Sequence, residues 1–300
     1  MQSILSQFSP APVISVIIVN FNGGDLLTEC VRSVLASTVP VTVHVVDNAS
    51  QDGSLQTLQS VVDKRVQIIK NTENLGFASA ANLALPKTSG DYLLFLNPDC
   101  LIRPDTLARF VSVMVQNPQA GMAGGLVRNS DGSEQAGCRR RVPTPWRSMV
   151  RIFHLDRLSK RFENFESRSD ALPDKPIEVE GISGACMFVR RTALEAVGQM
   201  DEAYFLHCED LDWFMRFRAQ GFGILFIHDI EVVHVKGVCS RRHPIRVLWY
   251  KHRGMVRFYR KFFRNDYPLL LFWGVIVVVW VRFAVLALGI LIHFVKRKIF

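Results

Sequence analysis

Three apolar runs in the first hundred residues end in side chains suited to holding a base, a phosphate or an ion. VISVIIV runs into Asn20-Phe21-Asn22, VTVHVV into Asp47-Asn48, and YLLFL into Asn97-Pro98-Asp99. One such ending is ordinary, because Asn and Asp favour turns and caps. Three of them, each closing a strand-like run, describe a polar pocket along one edge of a sheet. Asn97 and Asp99 stand two positions apart and so project to one face of an extended chain. No G-x-G-x-x-G follows the first run and no G-x-x-x-x-G-K-[ST] occurs, which argues against a dinucleotide site or a P-loop. A phosphate group in such a pocket needs another counter-charge, and a divalent cation on oxygen ligands is the simplest. Asp99 is the natural ligand, with a turn or helix cap as its alternative role. Asn97 is suited to holding a metal-bound water or touching the bound molecule.

Two distant features add to this set. Glu209-Asp210, with Asp212, opens a helical pattern in HCEDLDWFMRF, where carboxylates serve either chemistry or the helix dipole. His234 closes the β-branched run EVVHVKG, where an imidazole is either structural or a partner to carboxylates around a metal.

Such residues need elements that carry strand ends to one edge. Residues 13–19 form a continuous β-branched run and read as a buried parallel strand. Asp25 is placed to cap a following helix with Leu26, Leu27, Cys30, Val31, Val34 and Leu35 as its apolar stripe. Strands are expected at 41–46, 66–69 and 92–96, with short helices at 54–62 and 76–85. Pro104 fits the first turn of another helix carrying Leu107, Phe110, Val111 and Met114. Repeated β-α units imply a doubly wound, mostly parallel sheet with flanking helices. From 128 to 175 the periodicity dissolves, apart from a partial stripe of Trp146, Met149, Val150, Phe153 and Phe162. That stripe suits a helix against the core or against a membrane. A strand at 181–189, a helix over 209–220 and two strand-like runs at 224–227 and 230–235 follow.

The net charge of +9 is unevenly distributed. Residues 1–235 hold 22 Lys and Arg against 26 Asp and Glu, whereas residues 236–264 hold ten basic residues and no acidic one. Directly after comes PLLLFWGVIVVVWVRFAVLALGILIHFV, interrupted by Arg282 and closed by Lys296, Arg297 and Lys298. Its apolar length, about 36 Å as a helix, is enough to cross a bilayer. A re-entrant or interfacial course is the alternative, because Arg282 is costly in lipid. A basic block beside an apolar helix suits an anionic membrane surface better than nucleic acid. The six cysteines show no C-x-x-C pair, which argues against a zinc ribbon and favours reduced thiols. The first residues, MQSILSQFSPAP, lack the pattern of a signal peptide.

In order along the chain, VSVIIVNFNGGDLLTECVRSVLAS, VVDNASQDGS, NTENLGFASAAN and DYLLFLNPD resemble the inverting glycosyltransferases of family 2 with the GT-A fold. GISGACMFVRR, FLHCEDLDW and VVHVKG are similar to that family's acceptor half, and the resemblance covers about residues 13–240. Its closest flavour is the bacterial rhamnosyltransferase-like branch of O-antigen and other cell-surface glycan synthesis, with NPD in place of the family's D-x-D. The resemblance implies a catalytic domain over 1–240, divided near residue 127 into nucleotide-sugar and acceptor halves. A basic amphipathic connector over 241–267 and a membrane-embedded or spanning helix over 268–300 would follow. It implies Asn20 and Phe21 at the nucleotide, Asp47 on the base, Asn74 and Gly76 beside the nucleotide-sugar, and Gly184 and Ala185 beneath the sugar. Asp99 and His234 would hold Mg2+ or Mn2+, with Asn97 beside them, and Asp210 would be the general base next to Glu209. The implied donor is dTDP-rhamnose, or alternatively a UDP-hexose, and the acceptor a lipid-linked saccharide at the cytoplasmic face of the inner membrane. A nucleotidyltransferase would show an early G-x-G-x-R loop, absent here, and a non-catalytic scaffold would be expected to lack Asp99, Asp210 or His234.

Overall fold

The computed structural model describes residues 12–61, 63–157, 171–235 and 243–299. Its first half is built from β-α units: β1 (Ile14–Asn20), α1 (Asp25–Leu35), β2 (Val41–Asp47), α2 (Ser54–Leu58), β3 (Val66–Lys70), α3 (Phe77–Ala84) and β4 (Tyr92–Leu96). These four strands are parallel in the order β3-β2-β1-β4. β1 and β4 are buried at every position, which is why they read as unbroken apolar runs. Alternate residues feed opposite faces: Ile17, Val19 and Phe95 enter one core, and Val16, Ile18 and Leu94 the other.

The second half contains β5 (Cys100–Ile102), α4 (Thr106–Gln116), β6 (Ala120–Arg128), β7 (Arg139–Arg140), α5 (Pro145–Ile152), β8 (Ile177–Glu178), β9 (Gly181–Ile182) and β10 (Cys186–Arg190). After these come α6 (Arg191–Val197), α7 (Glu209–Ala219), β11 (Gly223–His234), α8 (Pro244–Phe262) and α9 (Leu269–Ile299). The main sheet continues β4-β10-β6-β11-β5, with β8 on β11, while β7 and β9 form a separate pair. β10 is antiparallel to both β4 and β6, whereas β11 runs parallel to β6 and antiparallel to β5, so the second half of the sheet is mixed.

Several local expectations differ from the structure. The helix expected over 54–62 stops at Leu58. Asp25 lies in the first turn of α1 without capping it; Gly24 is the N-cap, and its N–H bonds to Asp52 Oδ2 at 2.8 Å. Pro104 precedes α4, whose N-cap is Asp105. The expected strand over 181–189 splits at Ser183–Ala185 into β9 and β10. The two runs at 224–227 and 230–235 are one strand, β11, with an irregularity between Ile227 and Glu231. The Trp146 stripe is helical over α5, which docks through Ser148 Oγ, 2.6 Å from Tyr259 Oη, and leaves Trp146 and Phe153 exposed. Phe162 lies outside the described residues.

α8 is amphipathic, and its apolar face completes a core rather than lying free. Val256, Phe258 and Tyr259 join Trp213, Phe214 and Phe217 of α7 in one cluster, together with Phe272, Val275, Ile276 and Val279 of α9. Leu269–Val295 is long and apolar enough to cross a membrane by length and composition.

Candidate functional site

The parallel register sets Asn20 level with Asp47. Asn20 is fully buried, and its Nδ2 lies 2.8 Å from Asp47 Oδ1, 2.9 Å from Ser54 Oγ and 3.0 Å from Ser50 Oγ. Its Oδ1 accepts from the Gly23 N–H at 3.2 Å. The Asn20 amide is thus spent on holding Asp47 and the 50–54 loop, with Phe21 half-buried beside it. Asn48 does the same for the next loop. Its Nδ2 donates to Asn74 Oδ1 at 2.9 Å and to Gly76 O at 3.1 Å, while its Oδ1 accepts from Asn71 Nδ2 and the Leu75 N–H, each at 3.0 Å. Gly76 adopts φ 84° and ψ 173°, a region essentially confined to glycine, and a Cβ there would fall 2.4 Å from Phe205 O.

Asp99 sits in a tight turn. Cys100 N–H closes it on Asn97 O at 3.1 Å, Pro98 occupies the position proline favours, and Asn97 N–H bonds to Ala185 O at 2.9 Å. β5 then pairs with β11 so that Cys100 faces His234 in register, which brings Asp99 Oδ1 to 3.1 Å from His234 Nε2. Asn97 Nδ2 lies 3.5 Å from the same nitrogen. The three predicted members of this cluster therefore converge.

The polarity of the imidazole follows from a chain of hydrogen bonds that begins at a carboxylate. Ser133 Oγ–H donates to Asp131 Oδ1 at 2.6 Å and accepts from Asn129 Nδ2 at 2.9 Å. Asn129 Oδ1 accepts from Gln135 Nε2 at 2.9 Å, which leaves Gln135 Oε1 to accept from His234 Nδ1–H at 2.7 Å. With Nδ1 committed as a donor, Nε2 is the ring position left to take a proton or an ion beside Asp99. A carboxylate oxygen and an imidazole nitrogen converging in this way suit a divalent cation. Cys100 Sγ lies within 4.8 Å of both atoms, but burial pushes its thiol well above the ordinary range and it points to Ala185 O at 3.5 Å. The donor set that fits Mg2+ or Mn2+ is thus Asp99 and His234.

The acidic cluster at the start of α7 separates into three roles. Asp212 is fully buried between Arg216 Nε at 2.8 Å and Lys261 Nζ at 2.6 Å, so it ties α7 to α8. Glu209 is buried with Oε2 unpartnered among the described residues; burial, then the charge of Asp210, pushes its carboxyl up to about 8. Asp210 is ion-paired through Oδ2 to Arg140, while its Oδ1 accepts from the Leu211 N–H at 2.8 Å. A Cβ on Gly184 would lie 2.9 Å from Asp210 Oδ2. Left-handed backbone at His207 and Cys208, φ 68° and 71°, swings the chain into this position.

One unbroken line of contacts therefore runs from Asp210 through Gly184 and Ala185 to Asn97, Asp99 and His234. Gln135 and Arg140 were not among the residues singled out from the sequence. Both fall where the periodicity dissolves, and the only signal was the run Arg139-Arg140-Arg141 in an otherwise acidic half.

The family model for glycosyl transferase family 2 matches residues 15–198. N-acetylglucosaminyl-diphospho-decaprenol L-rhamnosyltransferase of Mycobacterium tuberculosis is 28% identical over 256 residues, covering 81% of this chain and 82% of its own. Among solved structures, the mannosyltransferase PcManGT from Pyrobaculum calidifontis, in complex with GDP-Man and Mn2+, aligns with TM-score 0.57 at 18% identity. That match covers 96% of this chain and 81% of PcManGT. S. aureus TarS 1-349 in complex with UDP aligns with TM-score 0.55 at 16% identity, covering 89% and 70%. Both likenesses concern the fold, which is the GT-A arrangement of a mixed sheet flanked by helices. On the strength of the family match, this chain belongs to glycosyltransferase family 2 and is a glycosyltransferase.

Proposed function

We propose that the chain transfers L-rhamnose from dTDP-rhamnose, with inversion, to a hydroxyl of a lipid-linked cell-surface saccharide at the cytoplasmic face of the inner membrane. The observation that carries this reading is the continuity of Asp210, Gly184, Ala185, Asn97, Asp99 and His234 along one sheet edge. The name of the M. tuberculosis relative supports the sugar and a diphospho-polyprenol acceptor. The Mn2+ in PcManGT supports a divalent ion. The apolar α9 supports a membrane-bound acceptor.

Asp47 accepts the imino N–H of the thymine base, with Asn20 fixing its carboxylate and Phe21 alongside. Asn74 and Gly76, pinned by Asn48, border the nucleotide-sugar. Asp99 and His234 would hold Mg2+ or Mn2+, which when bound neutralises charge on the departing diphosphate. Gly184 and Ala185 leave room for the sugar beside Asp210, with Glu209 at the acceptor side. Asp210 uses one lone pair of each oxygen on Arg140 and Leu211, which leaves acceptor capacity for the incoming hydroxyl. The hydroxyl proton passes to Asp210 as the oxygen bonds to the anomeric carbon. The bond from that carbon to the diphosphate oxygen breaks on the opposite face, and the nucleoside diphosphate leaves with the electron pair.

The Asp210→Asn variant tests the assignment, with transfer from dTDP-rhamnose to a polyprenyl-diphosphate N-acetylglucosamine as the readout. Transfer is expected to fall about 10²–10⁴-fold, with dTDP affinity within about twofold. Retained turnover removes Asp210 as the base.

A further inference from the structure

A cavity of 520 Å3 lies between residues 203–205, α8 and Trp280 of α9. Arg253, Arg257 and Arg260 line it from α8 at i, i+4 and i+7, one face of a helix. Lys261 is the fourth lining cation, and no carboxylate lines the cavity. Two of these charges are answered nearby: Asp201 pairs with Arg257 at 2.9 Å and with Lys261 at 2.8 Å. Arg260 rests its guanidinium 5.6 Å from the centroid of the exposed Trp273 ring. Arg253 is exposed and makes no ion pair among the described residues. Most of the remaining wall is aromatic, with Tyr250 stacked on Phe205 at 4.2 Å between ring centroids.

The cavity adjoins both halves of the reaction site. Gly254 lines it, and a Cβ there would fall 2.8 Å from His207 O and 3.3 Å from Cys208 Sγ, on the loop that presents Asp210. Phe205 lines it too, and its carbonyl accepts the Phe77 N–H at 2.9 Å beside Gly76. Its outer wall belongs to the helix apolar enough to enter a bilayer. Unpaired guanidinium forks are suited to phosphate, and an adjoining apolar helix to a hydrocarbon chain.

We propose that this cavity seats the phosphate ester that joins the acceptor saccharide to its lipid, bound by Arg253 and Arg260, with the lipid chain running along α9. The inference rests on the reading of the acceptor as lipid-linked, and it adds where the anionic linkage is held. A phosphate a short distance from the reacting hydroxyl then presents that hydroxyl to Asp210.

The test uses the full chain in a neutral detergent, with farnesyl diphosphate as the probe in titration calorimetry. Arg253→Gln is expected to weaken farnesyl diphosphate binding at least about tenfold, and Arg253→Gln with Arg260→Gln further. Arg264→Gln, exposed just beyond α8 and outside the cavity, is expected to leave it unchanged. Affinity for dTDP is expected to stay level in all three variants. Flotation with phosphatidylglycerol vesicles is expected to be equal for wild type and the double variant. Unchanged farnesyl diphosphate binding in the double variant overturns the proposal. A parallel loss of flotation also overturns it, because the arginines then serve bilayer headgroups. Transfer to a farnesyl-diphosphate-linked N-acetylglucosamine separates the two levels. Binding that depends on Arg253 without any transfer by the wild type overturns the acceptor reading. Transfer with a KM indifferent to Arg253→Gln overturns the cavity and leaves the acceptor reading standing.

Discussion

Replacing Gln135 by leucine removes the only acceptor of the His234 Nδ1–H bond among the described residues while keeping a side chain of similar size. Gln135 is 4% exposed, so water does not readily take over that role. A buried donor left without a partner costs about 1–3 kcal/mol. The ring avoids that cost by moving its proton to Nε2, where Asp99 Oδ1 accepts it at 3.1 Å. Nε2 is also the atom that would ligate a cation, so the ion must then displace a hydrogen-bonded proton. Loss of comparable outer partners weakens metal sites about 10–100-fold, or about 1.4–2.8 kcal/mol. The measurement is Mn2+ binding by electron paramagnetic resonance on the full chain with dTDP present. The Gln135→Leu variant should bind Mn2+ about 10–100-fold more weakly, whereas Gln135→Glu, which retains an acceptor, should stay close to wild type. Equal Mn2+ affinity in wild type and Gln135→Leu would refute the reasoning.

Two further predictions concern the acidic start of α7. Glu209 is raised to about 8 from the usual 4.5, so between those values the folded chain keeps a proton that the unfolded chain releases. Stability should therefore fall as pH rises through that window, by at most about 1.4 kcal/mol per pH unit from this group. Urea denaturation at several pH values should show the slope flattened in Glu209→Gln; an identical slope in the variant would count against the assignment. Gly184→Ala places a methyl group 2.9 Å from Asp210 Oδ2 and must displace that carboxylate. Misplacement of a reacting group by about 1 Å can cost about 10²-fold, so kcat should fall by that order. A kcat equal to wild type would place Asp210 away from the chemistry.

The parallel half was legible because its strands are buried on both faces and spelled by β-branched residues, so burial and local preference agree. The residues at its strand ends were legible for the same reason, since a buried run that stops at Asn or Asp has few purposes. β6 was not: AGMAGGLVR carries little strand preference, and its small residues answer a tertiary demand. A Cβ on Gly125, for example, would fall 2.3 Å from Ile230 O. Gln135 and Arg140 acquire meaning only through partners 99 and 70 positions away, a distance at which periodicity carries no information. The role of α8 was hidden by its charge. Ten basic residues over 236–264 suggest a surface, yet Lys261 and Arg257 are turned onto Asp201 and Asp212 of the body.

The packing of α8 and α9 against α7 also sets an order of events during synthesis. The core around Trp213 and Phe217 is completed by Val256, Phe258 and Tyr259, and then by Phe272, Val275, Ile276 and Val279. These residues leave the ribosome after every member of the reaction site has been made. Gly254, which receives the His207–Cys208 turn, belongs to the same late segment. Chains fold broadly in the order in which they are made, so the first β-α units can assemble early while the loop bearing Asp210 waits for α8 and α9. The nascent chain thus completes the packing around the Asp210 loop only as it gains its long apolar helix, which makes the acidic turn a late-assembling part of the fold.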